Sequence, residues 1–342
     1  MVAQTYFPLL YRSLLIIVSS VWLSACTEPL QKITISLGDF KSTQGALVLL
    51  NEDLGLFKQH GIDLQIHHYL SGKQALNSLL RGEEELVTAA ETPFVLACFK
   101  HDDLRLYASM GQSNNEIRIL ARRDHGIEQA KDLRGKSIGA QKGSAIHFFL
   151  TSFLLFHHIN PNHADLRFMR IEELSTSLVQ GKIDAISIRE PFLSQAKEAL
   201  GAGKYIEFSV EGLYTKTYNL VGYKNFVSKY PGAMEKILSA LNKAADYADQ
   251  HPQKALKIVA KRLVITLEDA AILWEDLRLR VSLNQGLVSI IEEQALWAVE
   301  AGIVKKNDLL NGKMPDLLKH IDAQPLSTAV PHAVSLVGLK LK

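Results

Sequence analysis

From Lys32 to about Phe226 the pattern of apolar and polar positions alternates between one typical of strands and one typical of helices. Short apolar runs predict buried strands, and apolar residues at helical spacing predict the helices between them. Such an alternation predicts an α/β fold with two mostly parallel mixed sheets and flanking helices. In the first half the predicted strands are 32–38, 63–70, 85–90, 104–110 and 116–123, and the predicted helices are 44–57, 72–80 and 92–99.

The same alternation restarts after a short predicted helix at 127–133. Two α/β units in series predict two lobes around a cleft, with 116–122 and 217–223 as the crossings between them. Ligands of open α/β sheets bind beyond the carboxyl ends of the strands, so both lobes would offer loops to the cleft. The second unit has predicted strands at 136–141, 166–171, 182–188, 204–209 and 218–223, and predicted helices at 144–158, 173–181 and 191–201.

Only helical patterns follow from Pro231, at 232–250, 252–263, 267–277 and 286–302. The last thirty or so residues show little periodicity, which predicts a loosely packed tail. The predicted division of the chain is a signal peptide (1–25), the first part of lobe 1 (26–120), lobe 2 (121–218), the completion of lobe 1 with the C-terminal helices (219–320) and the tail (321–342).

The apolar run from Ser13 to Trp22 is about half as long as the roughly 20 residues that a membrane-spanning helix needs. It follows Arg12 and ends in the string LSAC at 23–26, which resembles the bacterial lipobox, where cleavage leaves a lipid-modified cysteine first. An ordinary signal peptide or a buried N-terminal helix is the alternative. The pattern predicts a protein lipid-anchored through Cys26 to a bacterial membrane, in the periplasm or at the cell surface.

The composition argues against a nucleic-acid partner and against an intrachain disulfide. The chain carries 38 basic and 36 acidic side chains, and a single arginine precedes Cys26, so the mature protein is nearly neutral. Phosphate binding favours a basic surface, so no nucleic-acid partner is predicted. Cys98 is the one cysteine left after lipidation, which leaves no intrachain disulfide, and its apolar neighbours predict a core position.

Three predicted helices begin at the expected cleft with a hydroxyl residue, at Ser71, Thr92 and Ser144. The N–H groups of a helix start form an anion site, although a serine that only caps its helix is the commoner case. Thr88 ends the strand before Thr92, and Gly143 stands directly before Ser144. Three helix starts converging on one cleft favour a binding site.

The charged side chains expected at the cleft include both cations and carboxylates, which favour different ligands. Arg189 ends a buried strand, where its guanidinium could fork onto a carboxylate or a sulfonate, although a salt bridge with Glu190 would explain it equally well. Lys142 adds a second cation. Asp39, Glu91 and Glu190 would repel an anion unless these cations neutralise them, and they would suit a hydrogen-bonding heterocycle such as a pyrimidine.

No pattern predicts catalysis or a metal site. The string GKS at 135–137 lacks the glycine that a P-loop has five positions before its GK, because Ala130 stands there. The pairs His67-His68 and His157-His158 lack ligand spacing. In the first strand–helix loop Phe40 could stack on a ring-shaped ligand or belong to the core.

Eight segments taken together resemble the substrate-binding proteins of ABC importers. The resemblance is to the family of aliphatic sulfonate, taurine and nitrate binders and thiamine-pyrimidine binders (NMT1/THI5-like). It implies a type II periplasmic binding protein, whose ligand lies between two lobes and which docks on a permease with ATPase subunits. The segments are 53–64, 71–83, 87–97, 113–127, 132–150, 183–191, 212–223 and 291–299.

The resemblance also implies a set of ligand-binding positions, with no cofactor and no metal. The family contains both anion and pyrimidine binders, so the choice rests on the helix starts and Arg189, which make a small organic anion, such as a sulfonate, the expected ligand of a monomeric receptor. A pyrimidine ligand, a sensory receptor, and a pyrimidine-synthase-type enzyme are the alternatives, although that enzyme uses a cysteine-rich motif absent from this chain. The implied positions are Asp39, Phe40, Ser71, Thr88, Ala89 and Glu91 in the first lobe and Lys142, Gly143, Ser144, Arg189 and Glu190 in the second.

Cys26→Ala should block maturation, because the lipobox cysteine receives the lipid before the signal peptide is cleaved. Immunoblots of bacteria expressing the full chain should show an uncleaved precursor in this variant, and globomycin should produce the same precursor from the unmodified chain. Cys98→Ala is the control and should mature normally. Normal maturation of Cys26→Ala would contradict lipid anchoring.

Overall fold

The computed structural model describes Met1 and residues 34–305, 307, 309 and 312–337. The chain divides into Met1–Lys32 and Ile33–Lys342, and every element named here belongs to the second unit. The predicted signal peptide and Cys26 lie outside the described residues. No helix within the described ranges is long and apolar enough to cross a membrane.

The strands of the described residues confirm most of the predicted ones to within a few residues. They are, in chain order, β1 (Thr34–Phe40), β2 (Asp63–Tyr69), β3 (Leu86–Ala90), β4 (Leu104–Ser113), β5 (Ile117–Arg122), β6 (Ser137–Ala140), β7 (Asp165–Phe168), β8 (Ala185–Arg189), β9 (Tyr205–Phe208), β10 (Lys216–Tyr223), β11 (Arg278–Asn284) and β12 (Val334–Ser335).

The helices also follow the predicted order, but the one expected over 44–57 is divided. Gly55 adopts a left-handed conformation, with a φ of 66°, and separates the first two α-helices. The α-helices are α1 (Ala46–Leu54), α2 (Leu56–Gln59), α3 (Gly72–Leu80), α4 (Glu91–Cys98), α5 (Ala145–Phe156), α6 (Ile171–Val179), α7 (Phe192–Leu200), α8 (Phe226–Lys229), α9 (Ala233–Gln250), α10 (Pro252–Leu263), α11 (Leu267–Glu275), α12 (Gln285–Glu300) and α13 (Gln324–Ala329).

Two mixed sheets form two lobes, as the sequence predicts. The first lobe holds a seven-stranded sheet in the order β12-β11-β4-β10-β3-β1-β2, and the second a five-stranded sheet in the order β7-β6-β8-β5-β9. Parallel pairing joins β1 to β2 and β3, and β6 to β7 and β8. Returning strands pair antiparallel, as β10 does with β3 and β4.

Each lobe has its own apolar core. Leu37, Leu86 and Leu220 are buried in the first lobe among residues of α1, α9 and α12. Ile138 and Phe153 are buried in the second lobe. Separate cores allow each lobe to behave as a rigid body, so that the loops between them define the cleft.

The crossings between the lobes lie slightly earlier than predicted. The chain leaves the first sheet after Ser113 and returns at Lys216, and these two residues pair with each other in that sheet. The crossings are therefore 114–116 and 209–215, whereas most of the predicted crossing at 116–122 is strand β5 of the second sheet. The alternating apolar residues of β5 and β10 are explained by their pairing within sheets.

The predictions for the C-terminal part need two corrections. Residues 278–284 form strand β11 against β4, where only helices were predicted, and its inward-facing Val281 and Leu283 alternate with more exposed residues. The segment predicted to be a loose tail packs on the first lobe, with Ile321 and Leu326 buried and β12 paired to β11. The two residues of β12 are too few for a periodicity to be read, and β11 stands within a long run of helical patterns.

Leu326→Ala should destabilise the protein by about 2–5 kcal/mol, because it removes a fully buried side chain of α13. The matched control is Leu296→Ala on α12, whose side chain is 57% exposed and whose loss should change stability by less than about 0.5 kcal/mol. Urea unfolding of both variants measures the difference. Equal stability of the two would contradict the packed C-terminal segment.

Candidate functional site

A small cavity of about 30 Å³ lies between the two lobes. Its size leaves room for only a few water-sized groups, because the lobes contact each other directly around it. Both lobes contribute to its wall through the loops that follow their strands. The lining residues are Phe40, Ser71, Gly72, Lys73, Ala90, Pro93 and Lys216 from the first lobe, and Gln141, Ser144, Ala145, Ile146, Ile171 and Arg189 from the second.

Arg189 joins the lobes at this cavity. It is the last residue of β8 and is 3% exposed. Its guanidinium donates to the carbonyl of Leu70 at 2.9 Å and to that of Lys41 at 3.2 Å, both in the first lobe, and to that of Glu190 at 2.6 Å. Burial lowers the pKa of Arg189. Carbonyl dipoles thus solvate this cation in place of water.

Lys216 is a second buried cation, which the sequence analysis missed. It begins β10 and forms an ion pair with Glu116, which ends the first crossing. Its ammonium lies 5.3 Å from the centre of the Phe40 ring, and the Arg189 guanidinium lies 5.2 Å from the same centre. Burial lowers the pKa of Lys216, and the Glu116 carboxylate opposes this change. Two cations therefore lie near the Phe40 ring at the edge of the cavity.

Helix starts contribute to the cavity, although not all as predicted. Ser71 caps α3 by accepting from the N–H of Gln74 at 3.2 Å, which confirms that prediction. Ser144 occupies the cap position of α5, but its hydroxyl donates to the carbonyl of Gln141 at 2.7 Å and makes no cap bond. Ala145, the first residue of α5, lines the cavity. The positive end of the α5 dipole thus faces the cavity.

The prediction that Thr92 caps α4 is wrong. The helix begins one residue earlier, at Glu91, and its cap position is Ala90, which makes no side-chain cap bond. Thr92 therefore lies inside the first turn, next to Pro93. A proline is accommodated anywhere in this turn, so Pro93 alone could not fix the first residue of the helix.

The Glu91 carboxylate is not part of the cavity wall and is saturated by internal hydrogen bonds. It accepts from the N–H and the hydroxyl of Thr217, both at 2.8 Å, and from the side-chain amide of Gln294 at 2.8 Å. The hydroxyl of Tyr214, in the second crossing, is a fourth donor. Glu91 thereby fixes the second crossing and α12 to the start of α4.

Asp39 and Glu190 are also bonded within the protein, although Oδ2 of Asp39 has no hydrogen-bond partner among the described residues and lies 3.4 Å from Nδ1 of His68. Asp39 accepts from the hydroxyls of Thr88, at 3.0 Å, and Tyr218. Glu190 accepts from the N–H and the hydroxyl of Ser194 on α7, at 3.1 and 2.8 Å, and burial raises its pKa. Neither residue is part of the cavity wall.

The other predicted positions also lie outside the wall. Ala89 accepts from the side chain of Asn219 through its carbonyl. Lys142 accepts at its carbonyl a hydrogen bond of 2.5 Å from the ammonium of Lys73, while its own ammonium lies over the ring of Phe168. Gly143 lines a neighbouring groove. Of the predicted set, the cavity brings together Phe40, Ser71, Ser144 and Arg189.

The charged side chains of the described cavity wall are all basic: Lys73, Lys216 and Arg189. Burial and the nearby Lys142 lower the pKa of Lys73. The described residues contain no cluster of His, Cys, Asp and Glu that could hold a metal ion. The wall can therefore interact favourably with a negative group through two cations beside Phe40, a third at Lys73, and the start of α5.

Comparison with solved structures identifies the fold. The alkanesulfonate-binding protein SsuA from Xanthomonas axonopodis pv. citri, bound to MOPS, matches with a TM-score of 0.71 at 16% identity, over 85% of this chain and 98% of that one. The desulfurization enzyme DSZB matches with a TM-score of 0.63 at 15% identity, over 87% of this chain and 99% of that one. Because a binding protein and an enzyme both match, these similarities show the two-lobed periplasmic binding protein fold alone.

Comparison of sequences gives the family. A putative aliphatic sulfonates-binding protein of Bacillus subtilis (strain 168) is 24% identical over 202 residues, which is 58% of this chain. The matched part covers 60% of that relative, which is less than two thirds of its length. A family model described as NMT1/THI5 like matches residues 42–255, more than half of the chain. The protein therefore belongs to the NMT1/THI5-like family.

Proposed function

We propose that this protein is the extracytoplasmic receptor of an ABC importer and binds a small organic anion, such as a sulfonate, between its lobes. One observation carries the choice of ligand: the charged residues of the described cavity wall are Lys73, Lys216 and Arg189, all of them basic. Lys216 is paired with Glu116, whereas the described hydrogen bonds of Arg189 go to backbone carbonyls, and a buried cation without a carboxylate partner favours an anion.

The positions of the carboxylates support an anion over a pyrimidine. Glu91 has four internal donors, Asp39 two, and Glu190 is bonded to α7. A hydrogen-bonding heterocycle would need a carboxylate that faces it, and none of these three lines the cavity. Their repulsion of an anion is reduced for the same reason, since each negative charge is spread over protein hydrogen bonds.

In the proposed complex the negative head lies beside Phe40, at the start of α5. The guanidinium of Arg189 has the fork geometry that matches two oxygens of a sulfonate or carboxylate. Its present acceptors, the carbonyls of Lys41 and Leu70, belong to the opposite lobe. The ligand head would therefore replace weak carbonyl contacts by a charged one, and the lobes would separate and close again around it.

Membership of the family and the proposed lipid anchor support a role in import. The Bacillus relative is a putative aliphatic sulfonates-binding protein, and SsuA is an alkanesulfonate-binding protein. A receptor held at the membrane through Cys26 would be placed to dock on a permease, whose ATPase subunits supply the energy. An enzyme of the pyrimidine-synthase type would need a cysteine-rich motif, and this chain has only two cysteines. Cys98 is buried in the core of the first lobe, where burial raises its pKa.

The purified protein should be stabilised by sulfonates in a thermal-shift screen that also includes nitrate, carboxylates, pyrimidines and alkylammonium ions. A ligand at a hundred times its Kd adds about 2.7 kcal/mol of stability, which is visible as a rise in Tm. Arg189→Ala should weaken sulfonate binding at least tenfold, because it removes charge-assisted hydrogen bonds.

Arg122→Ala is the matched control, since Arg122 lies on β5 of the same lobe, outside the cavity, and pairs with Asp124. This variant should bind sulfonates as the unmodified protein does. Stabilisation by pyrimidines alone, with Arg189→Ala leaving it intact, would contradict the proposed ligand class.

A further inference from the structure

A groove of about 260 Å³ lies beside the cavity, between α3 and α4. Its wall on α3 consists of residues 73, 76, 77 and 80, and its wall on the α4 side consists of residues 93, 96, 97, 100 and 101. Both sets have the i, i+3, i+4, i+7 spacing of a single helix face. The groove therefore runs along the two helices, away from the start of each.

The groove adjoins the cavity at one end. Lys73 and Pro93 line both of them. At this junction the ammonium of Lys73 donates to the carbonyl of Lys142 at 2.5 Å. Gly143 lies here as well, and a Cβ atom at its position would come within 3.0 Å of Leu96 and 3.6 Å of the Lys73 ammonium. The flexible side chain of Lys73 thus borders both spaces.

The lining of the groove suits a hydrocarbon chain attached to an anion. Much of its lining is apolar, with Leu76, Leu80 and Leu96 on the two helices and Ile303 and Val304 from the segment after α12. Its charged or titratable residues are Lys73 at the junction and Lys100 and His101 at the far end, and none is acidic. A chain that leaves the cavity thus meets apolar surface first and basic groups at its end.

The length of the groove limits the size of the chain. Seven residues separate the first and last groove positions on α3, and a helix rises 1.5 Å per residue, so the groove is about 10 Å long. An extended hydrocarbon advances roughly 1.25 Å per bond, so about eight carbons fill it.

We propose that this groove is the second half of the ligand site and that the ligand is an organic anion with a linear hydrocarbon body of about six to eight carbons. The inference rests on the proposed function, because the anionic head must occupy the cavity beside Arg189. Lys73 then turns from the Lys142 carbonyl towards the head, and the body lies between α3 and α4. Nitrate and taurine occupy only the cavity and bind more weakly than an anion whose hydrocarbon body also fills the groove.

Calorimetric titration of the purified protein with methane-, butane-, hexane-, octane- and dodecanesulfonate tests this inference. Each methylene that enters the groove should tighten binding by about two- to fourfold. The gain should stop near eight carbons, where the groove ends, so dodecanesulfonate should bind no more than about twofold tighter than octanesulfonate.

Asn77→Asp places a carboxylate in the groove at an exposed position of α3, so the core is unaffected. It should reduce the affinity ratio of octane- to methanesulfonate at least tenfold. Asn225→Asp is the control, an exposed asparagine outside the groove, and should preserve the ratio.

Tight methanesulfonate binding with no gain from longer chains would overturn the groove and leave the proposed function standing. Equal octane- to methanesulfonate affinity ratios for Asn77→Asp and Asn225→Asp would also contradict the proposed role of the groove, without contradicting the proposed function. Failure of every sulfonate to bind would overturn both the proposed function and the groove.

Discussion

The architecture of the cleft depends on keeping two cations, Arg189 and Lys216, out of water between the lobes. Removing a charge from water is costly unless hydrogen bonds and opposite charges replace the solvent. Lys216 has Glu116 as its counter-ion, whereas the hydrogen bonds of Arg189 go to three backbone carbonyls, which carry only partial charges. An anion placed beside Phe40 would complete this compensation. The burial of these two cations would therefore explain both the charge of the cleft and the proposed preference for an anionic ligand.

The same groups connect the site to the segments that join the lobes. Glu116 ends the first crossing, and Lys216 follows the second, so their ion pair lies where both crossings meet the first sheet. Glu91 binds Tyr214 of the second crossing and Thr217 just after it. A ligand that attracts Lys216 must act on the Glu116 pair as well. In the proposed complex these short contacts would couple ligand binding to the angle between the lobes.

The sequence predicts the repeating elements well, because long helices and buried strands leave several periods of apolar residues. It fails where elements are short, as in β12 and α13, and where a strand such as β11 follows helices. For the site, the helix start at Ser71 and the strand end at Arg189 could be predicted, since each has a local signal. The direction of each carboxylate could not, because the partners of Glu91 lie more than 120 residues away along the chain and only the paired sheets bring them together.

The burial of Lys216 beside Phe40 likewise depends on the pairing of β10 between β3 and β4. A family resemblance suggests which positions bind the ligand but not where their side chains point. The sequence is therefore compatible with both an anion and a pyrimidine, whereas the cavity wall favours an anion. A crystal structure of the protein with 2-bromoethanesulfonate would decide between them, because anomalous scattering from bromine and sulfur fixes the position and direction of the ligand. We expect sulfonate oxygens about 2.7–3.2 Å from the Arg189 guanidinium nitrogens, with the bromine directed towards Lys73. A sulfonate bound outside the cleft, or a cleft ligand held by Glu91 or Asp39, would contradict the binding of a negative head group between Phe40, Arg189 and the start of α5.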